Sequence, residues 1–182
     1  MTKNKKLLSL VYIPLFAVIM AVCSQIYVPF VVSFTMQTFA VFLALNFLGG
    51  RRGVVAILLY LSIGAVGVPV FSGFTAGVGV LLGQNGGYMI GWLIAGLTAW
   101  LFDLLPIKKT VSRLISSIIG LVICYAVGTV WFTAVYARTS GEIGFLAVLS
   151  TCVFPFILPD VIKLALAYWL SIRLRKISKL TK

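Results

Sequence analysis

Histidine is absent from this chain, and aspartate and glutamate together number only three. The first absence removes the commonest metal ligand and general base. The second leaves Asp103, Glu142 and Asp160 as the whole stock of carboxylates, too little for acid–base catalysis, so the chain is not expected to be an enzyme. Cysteine is sparse as well. Cys23, Cys124 and Cys152 lie far apart, each inside an apolar run, and no Cys-x-x-Cys occurs. They read as small buried hydrophobes, with no metal or cofactor site expected. No glycine is followed by lysine, so there is no phosphate loop, and the protein does not hydrolyse ATP by itself. Gly77-Val78-Gly79 has neither a preceding strand nor a third glycine at the spacing a dinucleotide fingerprint needs.

What the chain does have is apolar length. Of 182 residues, 62% are hydrophobic and 10% charged, with mean hydropathy +1.15. A soluble domain carries about 25% charged residues and has too little interior to hide so much apolar surface. The composition is that of an integral membrane protein. Six apolar segments qualify as spans: Leu7–Val28, Phe34–Leu48, Gly53–Val66, Gly87–Leu105, Val111–Tyr136 and Phe145–Ile172. The second and third are short for independent crossings and call for little tilt or for shielding by neighbours. Lys3, Lys5 and Lys6 before the first segment resemble a signal peptide, and Met20-Ala21-Val22-Cys23 faintly resembles a lipoprotein cleavage box. Val22 breaks that box, and the apolar run is long enough to span, so a retained first helix is expected.

Net charge is +12. The basic residues flank apolar stretches instead of forming a patch with interleaved aromatics, so they read as topology signals and contacts to anionic membrane lipid, with no nucleic acid expected. With the N-terminus in the cytoplasm, Lys3, Lys5, Lys6, Arg51, Arg52, Lys108, Lys109, Arg113, Arg173, Arg175, Lys176, Lys179 and Lys182 all fall on that side. That is thirteen of the fifteen basic residues. The expected architecture is all-α: one transmembrane domain over residues 1–182, a multi-pass cell-membrane protein with six helices and both termini cytoplasmic.

Asp160 and Lys163, inside the last segment, are the sharpest chemical signal. An ionisable side chain at mid-span costs about 2.5–3.5 kcal/mol on insertion scales. Their i, i+3 spacing puts both on one face, where each partly neutralises the other. One reading is a simple intrahelical ion pair. The other is a ligand site, favoured by Pro155 and Pro159, which remove backbone donors and loosen the helix. Such a wall suits a small polar ligand with adjacent N–H donors and a carbonyl acceptor, as in a urea or amide. Gly73 to Gly87 holds six glycines and no charge, and reads either as a flexible outer hairpin or as a lid. Arg138 and Glu142, at i, i+4, read as a solvated pair or as a contact for an anionic ligand tail. Ala17 and Ala21 form a small-xxx-small pair for packing inside the bundle or against a partner. Trp92, Trp100, Trp131, Trp169, Tyr88 and Tyr136 fall near span ends and are expected to form an interfacial belt, with Tyr88 alternatively stacking on a ligand.

Several motifs in order resemble one family. They are Phe34-Thr35-Met36-Gln37-Thr38-Phe39, Tyr60-Leu61 through Gly64-Ala65-Val66-Gly67-Val68-Pro69-Val70-Phe71, Gly83-Gln84-Asn85-Gly86-Gly87-Tyr88, Pro159-Asp160-Val161-Ile162-Lys163 and Ala17-xxx-Ala21. Together they resemble BioY, the biotin-specific substrate-capture component of energy-coupling-factor transporters, over nearly the whole chain. One departure is the glycine loop, where the family usually reads Gly-Pro-Thr-Gly-Gly-Tyr. The resemblance implies a six-helix bundle with a vitamin pocket near the outer face. It implies that Asp160 and Lys163 clamp the ureido ring of biotin, with Gln37, Asn85 and Tyr88 as further contacts. It also implies that Ala17 and Ala21 meet a coupling transmembrane subunit, which works with two ATP-binding subunits. Within transport, a sister vitamin on the same fold and a stand-alone proton-coupled carrier titrating Asp160 are the competing readings.

Overall fold

A computed structural model describes residues 3–29, 34–139 and 144–178. It is built almost wholly of helix: α1 (Lys3–Gln25), α2 (Gln37–Leu48), α3 (Gly50–Ala65), α4 (Val78–Leu82), α5 (Gly86–Leu104), α6 (Lys109–Thr139), α7 (Phe145–Cys152) and α8 (Phe154–Ile177). The exceptions are a 3-10 turn at Ser72–Phe74 and a small antiparallel ribbon of β1 (Tyr27–Val28) and β2 (Phe34–Thr35).

Four helices are long and apolar enough to cross a membrane, within Leu8–Gln25, Gly86–Leu104, Lys109–Arg138 and Phe154–Ile177. The short second segment becomes α2, whose 12 residues reach only about 18 Å at about 1.5 Å per residue. Its position explains why so short a helix is tolerated. Residues Ala40 through Leu48 are all buried, as expected of a helix that is apolar on every side. It is the central post of the bundle, packed by α1, α3 and α8. Tyr12 and Phe16 of α1 each set their rings 5.4 Å from that of Phe47. A single residue, Gly49, joins α2 to α3 with φ 86°, a left-handed conformation that glycine adopts without steric cost.

The last apolar segment is two helices instead of one. Val153, at φ −124° and ψ −59°, interrupts the chain between α7 and α8. Pro155 then falls in the first turn of α8, where a missing N–H costs nothing because first-turn donors have no intrahelical acceptor. The expected loosening at Pro155 is thus a clean helix start. Only Pro159 lies inside α8, unable to donate to the Pro155 carbonyl.

The bundle has two unlike ends. At one, Leu8 of α1 and Ile177 of α8 line a common groove, Gly50 N–H donates to Asp103 (2.7 Å), and the Tyr168 hydroxyl donates to the Thr110 carbonyl (3.1 Å). This basic end gathers the α2–α3 turn with Arg51 and Arg52, the α5–α6 link with Lys108 and Lys109, and the last turn of α8 with Arg175 and Lys176. The opposite end holds the ribbon, residues 66–85, α7 and the start of α8.

Candidate ligand site

A cavity opens between α2, α5, α6 and α8 at the end opposite the basic one. Its polar lining comes from Thr35, Gln37, Ser72, Asn85, Asp160 and Lys163. Its apolar wall includes Val80, Met89, Trp92, Leu121, Cys124 and Phe156, with Tyr88 and Tyr125 presenting ring and hydroxyl together.

Asp160 and Lys163 face inward from one side of α8 and are both buried. The Lys163 ammonium donates to Asp160 Oδ1 (2.9 Å) and to the Thr35 carbonyl (2.7 Å). It also lies 3.7 Å above the Phe34 ring, which itself stacks on Phe156 with centroids 6.0 Å apart. An ammonium has three donors. Two meet oxygens and the third side faces an aromatic surface, which stabilises a desolvated cation. The β-ribbon explains the Thr35 contact, since pairing Tyr27 with Thr35 aims that carbonyl across at α8. Asp160 Oδ2 accepts from the Tyr125 hydroxyl at 2.7 Å. A carboxylate offers about four lone-pair sites, so Asp160 keeps acceptor capacity beside the cavity. The unspent partner is therefore the carboxylate, whereas the ammonium expected to meet a ligand carbonyl is already engaged.

Asn85 and Gln37 both line the cavity but differ in availability. Asn85 Oδ1 is buried and accepts no hydrogen bond from the described residues. An orphaned acceptor of this kind costs about 1–3 kcal/mol unless something donates to it. Gln37 is spent on structure. Its Nε2 donates to the Tyr60 hydroxyl (2.5 Å) and its Oε1 accepts from Thr35 (3.1 Å). The Tyr60 hydroxyl in turn donates to the Val70 carbonyl (3.0 Å). Tyr88 sits at the wall with its hydroxyl 3.5 Å from the Cys152 carbonyl.

The glycine-rich segment folds over this cavity as an ordered cap. Phe71 is fully buried, its ring edge-on to Tyr60 at 5.6 Å. Ser24 donates to Val70 O (2.7 Å) and Gln25 Nε2 to Phe71 O (2.9 Å), while Gln25 Oε1 accepts from Phe74 N–H (3.0 Å). Gly73 and Gly77, at φ 69° and 96°, turn the chain between these anchors and α4. At the far side, the Trp131 indole donates to the Gly83 carbonyl at 2.9 Å. From this segment Val80 and Asn85 line the cavity, and Ser72 lines it just before the segment begins.

Some expectations need correction. Ala17 is only 2% exposed and belongs to the core against α2 and α3, and Ala21 packs on the same core. Their small side chains allow close approach within the chain, and Ala21 stays half-buried. Trp92 is buried at the cavity and Trp131 is tied to the cap, so neither belongs to a belt. Trp100 and Trp169 do lie exposed near the basic end, under Arg51 (5.9 Å) and Arg173 (5.2 Å). Arg138 is exposed in the last turn of α6, and Glu142 lies outside the described residues. Sequence reasoning passed over Tyr125 and Phe34. A tyrosine at mid-span was the available signal for the first, because a buried phenol in hydrocarbon must find an acceptor. Nothing in the sequence pairs Phe34 with a lysine 129 positions later.

These features fit a known group of proteins. The model of the BioY family matches residues 1–180. The chain belongs to the BioY family. It is 39% identical over 167 residues to the biotin transporter BioY2 of Lactococcus lactis subsp. cremoris (strain MG1363), a match covering 88% of this chain and 86% of that one. It is 37% identical over 164 residues to the probable biotin transporter BioY of Pyrococcus horikoshii, covering 90% and 93%. Among solved structures it is similar to the S-component for biotin from an ECF-type ABC transporter, seen in a 2.1 Å crystal structure. The TM-score is 0.82 at 26% identity, covering 97% of this chain and 95% of that one. As a BioY-family member with several apolar membrane-length helices, it is a multi-pass membrane protein.

Proposed function

We propose that this chain captures biotin at the outer face of the cell membrane as the substrate-binding component of an energy-coupling-factor transporter. The observation that carries the reading is the Asp160 carboxylate, buried, held by Lys163 and Tyr125, and still able to accept hydrogen bonds beside a largely apolar cavity. Biotin presents a urea with two N–H donors on a compact carbon and sulfur skeleton. The urea N–H groups suit Asp160 and the unpaired Asn85 carbonyl, while Trp92, Met89, Leu121 and Phe156 suit the skeleton. Gln37 and Tyr88 act here by shaping the wall. The names of the relatives, biotin transporters and an S-component for biotin, point the same way.

The proposed topology has six crossings, α1, α2, α3, α5, α6 and α8, in one domain over residues 1–182. Among the described residues, Arg51, Arg52, Lys108, Lys109, Arg113, Arg173, Arg175 and Lys176 gather toward one end, and by the positive-inside rule this favours placing that end, with both termini, in the cytoplasm. The ligand cavity then opens outward, and burial of α2 among its neighbours offsets its shortness. Release to the inside is assigned to a coupling membrane subunit and two ATP-binding subunits, since the chain carries no phosphate loop.

The test is titration of ligand-stripped, detergent-purified full chain with biotin, followed by tryptophan fluorescence through Trp92 and Trp131. Saturable binding unaffected by excess thiamine or riboflavin is expected. Binding of either competitor in place of biotin would reassign the cargo. Uptake by vesicles that lack ATP-binding partners, abolished by a protonophore, would replace the capture reading with a proton-coupled carrier.

A further inference from the structure

A second concavity lies at the basic end. Leu8, Tyr12, Leu15, Phe16 and Ile19 of α1 form one wall, Phe47 of α2 the floor, and Leu174, Ile177 and Ser178 at the end of α8 the other wall. It measures about 400 Å³. Apolar cavities of about 150 Å³ already admit a benzene ring, so this groove is far beyond a packing defect. Its sides open to the membrane, with Leu15 45% and Ile177 83% exposed.

We infer that this groove holds one acyl chain of an anionic phospholipid of the leaflet at the basic end, its headgroup seated among the basic residues at the mouth. Charge selects the headgroup. The α8 wall ends in Lys176 and in Arg175, whose guanidinium also donates to Ser171. The one carboxylate described at this end, Asp103, accepts from Gly50 N–H and faces Arg113 at 3.7 Å, so it offers the mouth no competing anion. Shape selects the chain. A partner helix approaches closely over small residues, but Ala17 of α1 is turned into the core, and apart from Ser178 the groove is walled by leucine, isoleucine and aromatics. A flexible hydrocarbon chain conforms to such walls where a helix backbone does not.

The experiment is native mass spectrometry of the full chain released from vesicles of equal phosphatidylglycerol and phosphatidylcholine. One retained phosphatidylglycerol per chain is expected. Leu15→Trp and Ile177→Trp, which fill the groove without removing charge, should abolish retention. Lys176→Gln should weaken it about fivefold, the effect of one juxtamembrane charge. Helical circular dichroism and monodisperse elution identify variants that remain folded, and the two fillers lie on different helices, so misfolding of one leaves the other to report. Equal retention of both lipids, or retention that survives both fillers, would overturn the proposal by reducing the contact to the general lipid annulus. Absence of retained lipid, with fillers that block assembly with the partner subunits, would overturn it in favour of a protein helix.

Discussion

Among the described residues two acid–base pairs are buried or nearly so, and they are used in different ways. Asp160 and Lys163 stand 2.9 Å apart at the ligand cavity, and Asp103 and Arg113 stand 3.7 Å apart at the basic end. Asp103 Oδ2 accepts from Gly50 N–H, at the start of α3, where helix donors have no partner of their own, while its buried Oδ1 faces Arg113 with no hydrogen bond from the described residues. The Lys109 ammonium meanwhile donates to the Asp103 backbone carbonyl. This pair is a clasp that ties α3, α5 and α6 together through the backbone, and it lines neither concavity. Asp160 instead bonds only to side chains, Tyr125 and Lys163, and keeps lone pairs beside space. A buried ion pair in a membrane bundle is thus no marker of a binding site by itself. Spare acceptor capacity next to a cavity is.

The comparison breaks most readily at the carboxylates. Asp160→Asn removes the charged acceptor offered to the urea N–H groups, a contact worth about 1.5–3 kcal/mol, so biotin binding should weaken by about tenfold to a hundredfold, and the unpaired Lys163 should lower the melting temperature as well. Asp103→Asn should leave affinity within about twofold while lowering the melting temperature. Calorimetric titration and a thermal melt on the same preparations read both. Similar affinity losses in the two variants would mean that the pairs are not functionally distinct.

Tyr125 sharpens the contrast, because it has no counterpart at Asp103. Its hydroxyl donates to an ionised carboxylate, a bond worth about 1.5–3 kcal/mol. Tyr125→Phe keeps the ring and removes the donor, so the melting temperature should fall and, as Asp160 loses the bond that orients it, biotin affinity should fall about tenfold. Unaltered affinity would show that Lys163 alone orients Asp160. The clasp has its own probe in Gly50, where an added Cβ would lie 2.1 Å from the Trp100 backbone nitrogen. Overpacking of this kind costs about 1–3 kcal/mol. Gly50→Ala should therefore lower the melting temperature by several degrees and leave biotin affinity in place.

Much of this contrast could be read from the sequence, and the reason for the rest is physical. Composition disclosed the membrane, and the spacing of Asp160 and Lys163 disclosed a shared helix face, because both depend on local pattern. Which acid turns its spare lone pairs toward a cavity depends on partners 35 and 128 residues away, Tyr125 for Asp160 and Thr35 for Lys163, and no local pattern carries that. Ala17 and Ala21 show the same limit. Their spacing announces close approach, but the neighbour is decided by how α1 is rotated, and the rotation turns Ala17 inward. The split of the last segment at Val153 was foreshadowed by Pro155, since proline is best placed in a first turn.

The smallest expected effect separates the two anchors of the cap. On one side Ser24, Gln25 and Tyr60 hold Val70 and Phe71 through several hydrogen bonds and a buried ring. On the other, the Trp131 indole holds Gly83 through one bond. Opening should follow the weaker anchor, swinging α4 and Asn85 away while Phe71 stays seated under Tyr60. A net hydrogen bond contributes about 0.5–1.5 kcal/mol, so Trp131→Phe should speed biotin release about fivefold. Tyr60→Phe removes one of several bonds at the firm anchor and should speed release less. Stopped-flow displacement with excess unlabelled biotin measures both rates. Faster release in Tyr60→Phe than in Trp131→Phe would move the hinge to Gly83 and make Val70–Phe71 the end that lifts.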